Sequence, residues 1–144
     1  MPRPQDSEPP GPAATSLDQA GLVANDPRRA LGRYGESVAA AYLTLKGWQL
    51  EDRNWRCDLG ELDLVGQPDP DTLVFVEVKT RSSDRCGTPQ AAVDPRKLAR
   101  LRRLAAAWLA AHDHHAEVVR IDVIAVTVGG PAGRSIEHLE GVGL

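Results

Sequence analysis

Two stretches of the chain repeat apolar residues at intervals of three to four, which is the spacing of one face of an α-helix. The first covers residues 28–46, and Gly47 marks its end. The second begins at Asp94-Pro95, where an acid at the N-cap and a proline at the first helical position favour a helix start, and it extends to about His112. The predicted apolar faces consist of Leu31, Tyr34, Val38, either Ala41 or Tyr42, and Leu45 in the first helix and Leu98, Leu101, Ala105 and Trp108 in the second.

Short apolar segments rich in β-branched residues predict strands between and after the two helices. They lie at residues 48–55, 61–66, 73–80 and 118–128, with a short edge strand at 135–139. Turn-forming residues separate the first three strands, and a polar segment at 81–90 predicts a mobile loop. The resulting order, α-β-β-β-α-β with a short final strand, predicts an α/β domain in which helices pack on a mixed sheet.

Residues 1–26 differ in composition from the rest of the chain. They are rich in Pro, Ala, Ser and Gly and lack a periodic apolar pattern, which predicts a disordered Pro-rich tail and leaves residues 27–144 as one domain. The tail contains one base and four acids, which accounts for the whole net charge of −3. If several acids of the domain line a metal site, its outer surface is net basic, which is compatible with a polyanionic substrate.

The location of the protein is predicted from features that the sequence lacks. No apolar run approaches the ~20 residues of a membrane-spanning helix, and the start of the sequence has no apolar segment typical of a secretory signal. The two cysteines, Cys57 and Cys86, have no CxxC spacing and are expected to be free thiols. We therefore expect a cytoplasmic protein without a membrane partner.

Acidic residues interrupt two of the most apolar strands. Because successive side chains of a strand point to opposite faces, Asp63 is expected on the face opposite Leu62 and Leu64. In the next strand, Glu77 and Lys79 are expected to share a face. If the two strands pair as a hairpin, carboxylates and one ammonium group converge on one side of the sheet, which is costly unless the charge is paired or binds a cation.

Metal-dependent phosphodiester hydrolysis uses such a group of side chains. Asp63 and Glu77 are the candidate ligands of Mg²⁺ or Mn²⁺, which prefer oxygen ligands. Lys79 is the candidate to position or activate the attacking water. Glu36 is the third candidate metal ligand, directly or through water, because small residues follow it on the first helix and let it reach toward Asp63. The alternative for each of these residues is a solvated charge on the surface of a strand or helix.

A basic stripe lies on the second helix. Arg96, Arg100 and Arg103 fall on one helical face with Lys97 beside them, and we predict that these four residues contact nucleic-acid phosphates. The alternative is a solvated helix face. Asp122 lies within an apolar strand, and the sequence leaves open whether it is a buried acid near the site or an edge residue.

Three motifs in the chain resemble those of a known family. Residues 31–36 (LGRYGE), 60–65 (GELDLV) and 74–81 (VFVEVKTR) are similar to the successive motifs of the YraN-like family, an uncharacterised bacterial group. That family is similar to the PD-(D/E)XK nucleases, near the archaeal Holliday-junction resolvases. The resemblance extends over about residues 28–128.

The resemblance implies a role for each matching residue. Asp63 and Glu77 match the metal-ligand acids, and Lys79 matches the lysine of the Glu-x-Lys motif. Glu36 matches the helix glutamate of the resolvase-like branch. Lys97 matches a lysine that Gln often follows in the family, although Leu follows it here.

The resemblance further implies a restriction-endonuclease-like core and a Mg²⁺- or Mn²⁺-dependent endonuclease that acts on DNA, branched DNA included. It also implies a homodimer, because a resolvase cuts two strands, although no dimer interface is readable in the sequence. Two other functions stay open on the residues alone. One is a nucleic-acid-binding module with little or no catalysis, and the other is a protein-interaction domain with incidental charges.

Overall fold

The helices and strands follow the predicted order. The structure, a computed structural model, describes residues 26–82, 94–131 and 133–143. The chain divides into two units after Arg33, and the second unit contains the sheet. Along the chain, the elements are α1 (Pro27–Leu45), β1 (Gln49–Cys57), β2 (Gly60–Asp69), β3 (Thr72–Ser82), α2 (Pro95–His112), β4 (Val118–Gly130) and β5 (Gly133–Leu139). The predicted α/β fold class is confirmed, including the short final strand.

Two predicted irregular segments fall largely outside the described residues. Of the predicted tail at 1–26, only Asp26 is described, and its carboxylate accepts a hydrogen bond from the N–H of Arg28 at 3.0 Å where α1 begins. Of the predicted loop at 81–90, only Arg81 and Ser82 are described, and for them the prediction is wrong. Both belong to β3, because the parallel pairing of β3 with β4 continues to Ser82.

Five strands form one sheet in the order β1-β2-β3-β4-β5. Neighbouring strands are antiparallel, except that β3 and β4 are parallel. Parallel neighbours need a long crossover connection, and α2 lies in that connection. The sheet is therefore mixed, as predicted.

Both faces of the sheet are buried, and each helix covers one of them. The core under α1 consists of Val38, Ala39, Ala40, Leu43, Trp48, Leu64, Val74, Val76, Ile124 and Val126. The core under α2 consists of Leu62, Val65, Leu73, Phe75, Leu101, Leu104, Ala105, Trp108 and Ile121. The two helices thus bury against opposite sides of the sheet. The apolar face predicted for α1 is wrong in part, because Tyr34 and Leu45 are 44% and 89% exposed, whereas Ala39, Ala40 and Leu43 are buried.

The regular alternation predicted for β2 is wrong around Asp63. Leu64 is buried in the core under α1, whereas Leu62 is buried in the core under α2. Residues two positions apart in a regular strand share a face, so β2 changes its orientation between these two leucines. Asp63 lies at that irregularity, where strand alternation no longer determines the direction of its side chain.

Two further expectations concern cysteine and membranes. Cys57 has a free thiol, as predicted, and Cys86 lies outside the described residues. Neither of the two described helices combines the length and the apolarity that crossing a bilayer requires.

Helix α1 approaches β3 so closely that Gly35 leaves no space for a side chain. A methyl group at this position would overlap the side chain of Thr80. We expect Gly35→Ala to lower the free energy of unfolding by about 2 kcal/mol, within the ~1–3 kcal/mol typical of overpacking, and to displace the neighbouring Glu36. Urea denaturation measures the loss of stability.

Gly32→Ala is the matched control for this variant. Gly32 lies on the same helix, and a methyl group there meets no neighbouring atom of the described residues. Because alanine is favoured over glycine inside a helix by about 1 kcal/mol, Gly32→Ala should be more stable than the wild type. Equal destabilisation by both substitutions would contradict the close packing at Gly35.

Candidate metal site

Strands β2 and β3 separate at the position of Asp63. The backbone pairing of β2 with β3 extends as far as Leu64 and Val76. Beyond that pair, the side chain of Asp63 takes the place of a backbone partner. Oδ2 of Asp63 accepts a hydrogen bond from the N–H of Val78 at 2.8 Å. This bond fixes the carboxylate in the gap between the strands.

Negative charge accumulates around Asp63. The pKa of this carboxyl is raised from its ordinary 3.8 to about 8, mainly by burial and next by the charge of Glu77. The charges of Glu36 and Glu61 raise this pKa further, and the hydrogen bond from Val78 acts in the opposite direction. The predicted acids Asp63, Glu77 and Glu36 therefore lie close enough to interact, in a partly desolvated place where a cation would relieve their repulsion.

The carboxylate of Glu77 pairs with Lys97. Nζ of Lys97 lies 2.9 Å from Oε2 of Glu77, and the two side chains are only 22% and 14% exposed. The start of α2 positions this lysine, because its backbone N–H donates to Oδ1 of the N-cap residue Asp94 at 2.8 Å. Lys97, which was predicted to contact nucleic acid together with the arginines, forms an ion pair with the acidic group in this structure.

Lys79 lies on the same sheet face as Glu77, as predicted. The register of β3 with β4 is continuous through both residues, so regular alternation holds there. The Lys79 side chain is exposed and forms no hydrogen bond or ion pair with another residue of the described segments. The ammonium group that contacts the acids is therefore that of Lys97. The residue pattern of β3 could not predict this contact, because Lys97 belongs to α2.

Asn54 is a site residue that the sequence analysis missed. Its side-chain amide donates to Oε1 of Glu36 at 2.9 Å and so joins α1 to β1. Its neighbours Arg53 and Trp55 pair with residues 64 and 62, which places Asn54 opposite Asp63. Asn54 has a left-handed backbone with φ of 51°, which asparagine tolerates better than most residues. In the sequence, only the position of this asparagine next to a tryptophan in a predicted strand indicates a special role, and that indication is weak.

The three predicted arginines form an exposed basic face on α2. Arg96, Arg100 and Arg103 are all exposed, and none of them forms an ion pair with another residue of the described parts of the chain. Lys97 belongs to the same helix but contacts Glu77. The basic face and the acidic group therefore meet at the first turn of α2.

Two carboxylates of the acidic group are the candidates to hold a magnesium ion that retains several other ligands. Within residues 26–82, 94–131 and 133–143, no group of three or more His, Cys, Asp or Glu side chains is arranged so that it could hold a metal ion. Glu77 and Glu36 are each held by another side chain, Lys97 and Asn54. Asp63 and Glu77 still suit Mg²⁺, because this ion is commonly bound by one or two carboxylates, with water or substrate phosphate completing its coordination.

Asp122 is a buried acid with a different environment. It is fully buried and bound by Arg120 through two hydrogen bonds of 2.9 and 3.0 Å, by His138 at 2.7 Å and by the N–H of Gly141 at 2.9 Å. Burial alone would raise the pKa of Asp122, but these hydrogen bonds outweigh it and hold the pKa below its usual value. Alternation along the paired strands places Asp122 on the sheet face opposite Glu77, so it stabilises the fold and is separate from the candidate site.

Comparison with known proteins identifies the family. The model of the uncharacterised protein family UPF0102 matches residues 35–126, which include Glu36, Asp63, Glu77 and Lys79. A UPF0102 protein of Beutenbergia cavernae is 59% identical over 114 residues, which are 79% of this chain and 96% of that protein. One of Frankia casuarinae is 54% identical over 112 residues, 78% and 94% of the two chains. One of Mycolicibacterium smegmatis is 52% identical over 117 residues, 81% and 94% of the two chains. The chain therefore belongs to the UPF0102 family, the YraN-like family that its motifs resemble.

Proposed function

We propose that this protein is a divalent-metal-dependent endonuclease that hydrolyses phosphodiester bonds of DNA. The main support is the position of Asp63, which a backbone hydrogen bond holds between two strands and which like charges surround. A carboxylate in such a place is costly to ionise unless a cation compensates its charge. Asp63 and Glu77, on adjacent strands, are the residues that would hold this cation.

Each side chain of the group has a distinct part in the proposed reaction. A bound divalent ion would neutralise charge on the phosphate and lower the pKa of a water molecule. Asp63 and Glu77 bind the ion through carboxylate oxygens, and Glu36, oriented by Asn54, assists directly or through water. Lys79 is exposed on the face of Glu77, where its ammonium group can orient the attacking water.

The basic face of α2 gives the proposed enzyme its contact with DNA. Arg96, Arg100 and Arg103 are exposed and available for phosphate oxygens, which guanidinium groups bind with good geometry. Because α2 starts at the acidic group, a duplex that lies along this helix brings a phosphate toward Glu77. The proposal further includes branched DNA as the substrate and a homodimer that cuts its two strands, both of which rest on the resemblance to resolvases. It also includes a cytoplasmic location.

A second function, a nucleic-acid-binding module with little or no catalysis, has one observation in its favour. Lys97 already neutralises Glu77, and Lys79 contacts none of the acids. If this arrangement persists in the presence of divalent ions, the basic face of α2 would still bind DNA but the acids would hold no metal.

Cleavage of defined DNA forms by the full-length protein separates the two functions. End-labelled linear duplex, single strand and four-way junction are incubated with Mg²⁺, with Mn²⁺ or with EDTA, and binding is followed by gel shift. The endonuclease is expected to cleave with either metal ion, most readily at the junction, and not with EDTA. A gel shift without cleavage of any form would support the binding module, and neither binding nor cleavage would overturn both functions.

A further inference from the structure

We propose that Lys97 is an internal counter-ion that occupies Glu77 until a divalent ion displaces it. This inference rests on the proposed metal site and assigns it a further residue, which neutralises Glu77 without metal and contacts the substrate phosphate once metal is bound. The ion pair of 2.9 Å between two largely shielded side chains is the observation that supports it. An ammonium group and a metal ion would need the same carboxylate oxygens, so they compete for Glu77.

Lys97 is well suited to neutralise the acids while no metal is bound. The charges of three other carboxylates act on Asp63, so a positive charge within the group lowers the cost of holding these side chains together. Arg56 pairs with Glu61 at 3.7 Å, but its side chain is 73% exposed, so it acts at the rim of the group. Lys97 places its positive charge inside the group, where less water screens it.

The position and chemistry of Lys97 also allow it to leave. The N-cap Asp94 fixes only its backbone, at the first turn of α2, while a flexible four-carbon chain carries the ammonium group. After displacement from Glu77, this group remains beside the place where the metal and the DNA phosphate would meet. Lys97 therefore weakens metal binding and, once freed, stabilises the phosphate.

Calorimetric titration with Mn²⁺ tests the competition without any DNA. Lys97→Met keeps the aliphatic chain and removes the charge, so we expect it to bind Mn²⁺ about tenfold more tightly than the wild type, because binding no longer requires an ion pair to be broken. Lys46→Met is the matched control, since it removes an exposed lysine charge just after α1, outside the proposed site, and should leave the Mn²⁺ affinity close to that of the wild type.

Cleavage rates at saturating Mn²⁺ provide a second test. Lys97→Met is expected to cleave DNA about tenfold more slowly, although it binds Mn²⁺ more tightly, because the freed ammonium group no longer contacts the phosphate. A lysine that only supported the fold would not change metal affinity and cleavage in opposite directions.

The wild type provides a third test that does not depend on how the variant folds. In a Mg²⁺ titration followed by NMR, the Cε–Hε signal of Lys97 should shift in step with metal occupancy, while that of Lys46, at the end of α1, should not. Unchanged or weaker Mn²⁺ affinity in Lys97→Met, or a Lys97 signal that does not shift when Mg²⁺ binds, would contradict the counter-ion role of Lys97. Either result would leave the proposed metal site intact. No Mn²⁺ binding to either protein would overturn both.

Discussion

Glu77→Gln is expected to lower metal-dependent DNA cleavage at least about a thousandfold, since a bound metal supplies several kcal/mol of transition-state stabilisation and about 1.4 kcal/mol corresponds to a factor of ten. The substitution keeps the size of the side chain and one oxygen that can accept from Lys97, so the fold should persist. It removes the negative charge that a divalent ion requires. Single-turnover cleavage of labelled DNA, together with thermal melting by circular dichroism, measures both effects.

Glu137→Gln is the matched control for the charge change. Glu137 is an exposed acid of β5 and forms no ion pair with another described residue. Its replacement by glutamine should leave the cleavage rate within about a factor of two of the wild type, since isolated surface substitutions have small effects. If a folded Glu77→Gln variant cleaves DNA as fast as Glu137→Gln, Glu77 is not a metal ligand of the proposed site.

The second large effect concerns the dependence of stability on pH. The carboxyl of Asp63 has a pKa of about 8 in the folded protein, against an ordinary value of 3.8. Between about pH 4 and pH 8 the unfolded chain loses this proton while the folded protein keeps it, so the contribution of Asp63 to the free energy of unfolding falls as the pH rises. Because one pKa unit corresponds to about 1.4 kcal/mol, the rise from 3.8 to about 8 gives a total change of at most about 6 kcal/mol.

Asp63→Asn isolates this contribution from those of all other groups. Asparagine keeps an oxygen that can accept from the N–H of Val78 but carries no charge at any pH. The variant and the wild type should be about equally stable at pH 4, and the variant should be more stable at pH 8. Urea denaturation at both pH values gives the difference. A difference that is independent of pH, or that has the opposite sign, would contradict the charge accumulation at Asp63.

Added Mg²⁺ should act on only one of the two proteins. An ion that binds the folded state alone stabilises it, so Mg²⁺ at pH 8 should raise the free energy of unfolding of the wild type. Asp63→Asn should show no such gain, because it lacks one of the two proposed ligands. Equal stabilisation of both proteins would indicate binding elsewhere.

Local patterns in the sequence were sufficient to predict the main elements. Apolar spacing identified both helices, and Asp94-Pro95 marked the start of α2, where the Asp94 side chain caps the helix as expected. The β-branched run before Thr80 identified β3, and Glu77 and Lys79 share a face because β3 pairs with β4 without interruption. These features depend on residues that are close together in the sequence, so the sequence alone is sufficient to predict them.

The site depends on contacts between elements that are distant in sequence. Strand periodicity assumes continuous pairing, so it could not predict that β2 and β3 separate at Asp63. The ion pair of Lys97 with Glu77 depends on where α2 docks on the sheet, and the bond from Asn54 to Glu36 depends on where α1 docks. The acids are therefore neighbours, as their strand positions predicted, but the ammonium group that contacts them belongs to Lys97 and not to Lys79.

Calorimetric titration of Mn²⁺ into the wild type and Asp63→Ala tests most directly whether Asp63 and Glu77 share one divalent ion. We expect one Mn²⁺ bound per wild-type chain and no detectable binding to the folded alanine variant. Equal Mn²⁺ affinity in the two proteins, or no binding to the wild type, would contradict this expectation.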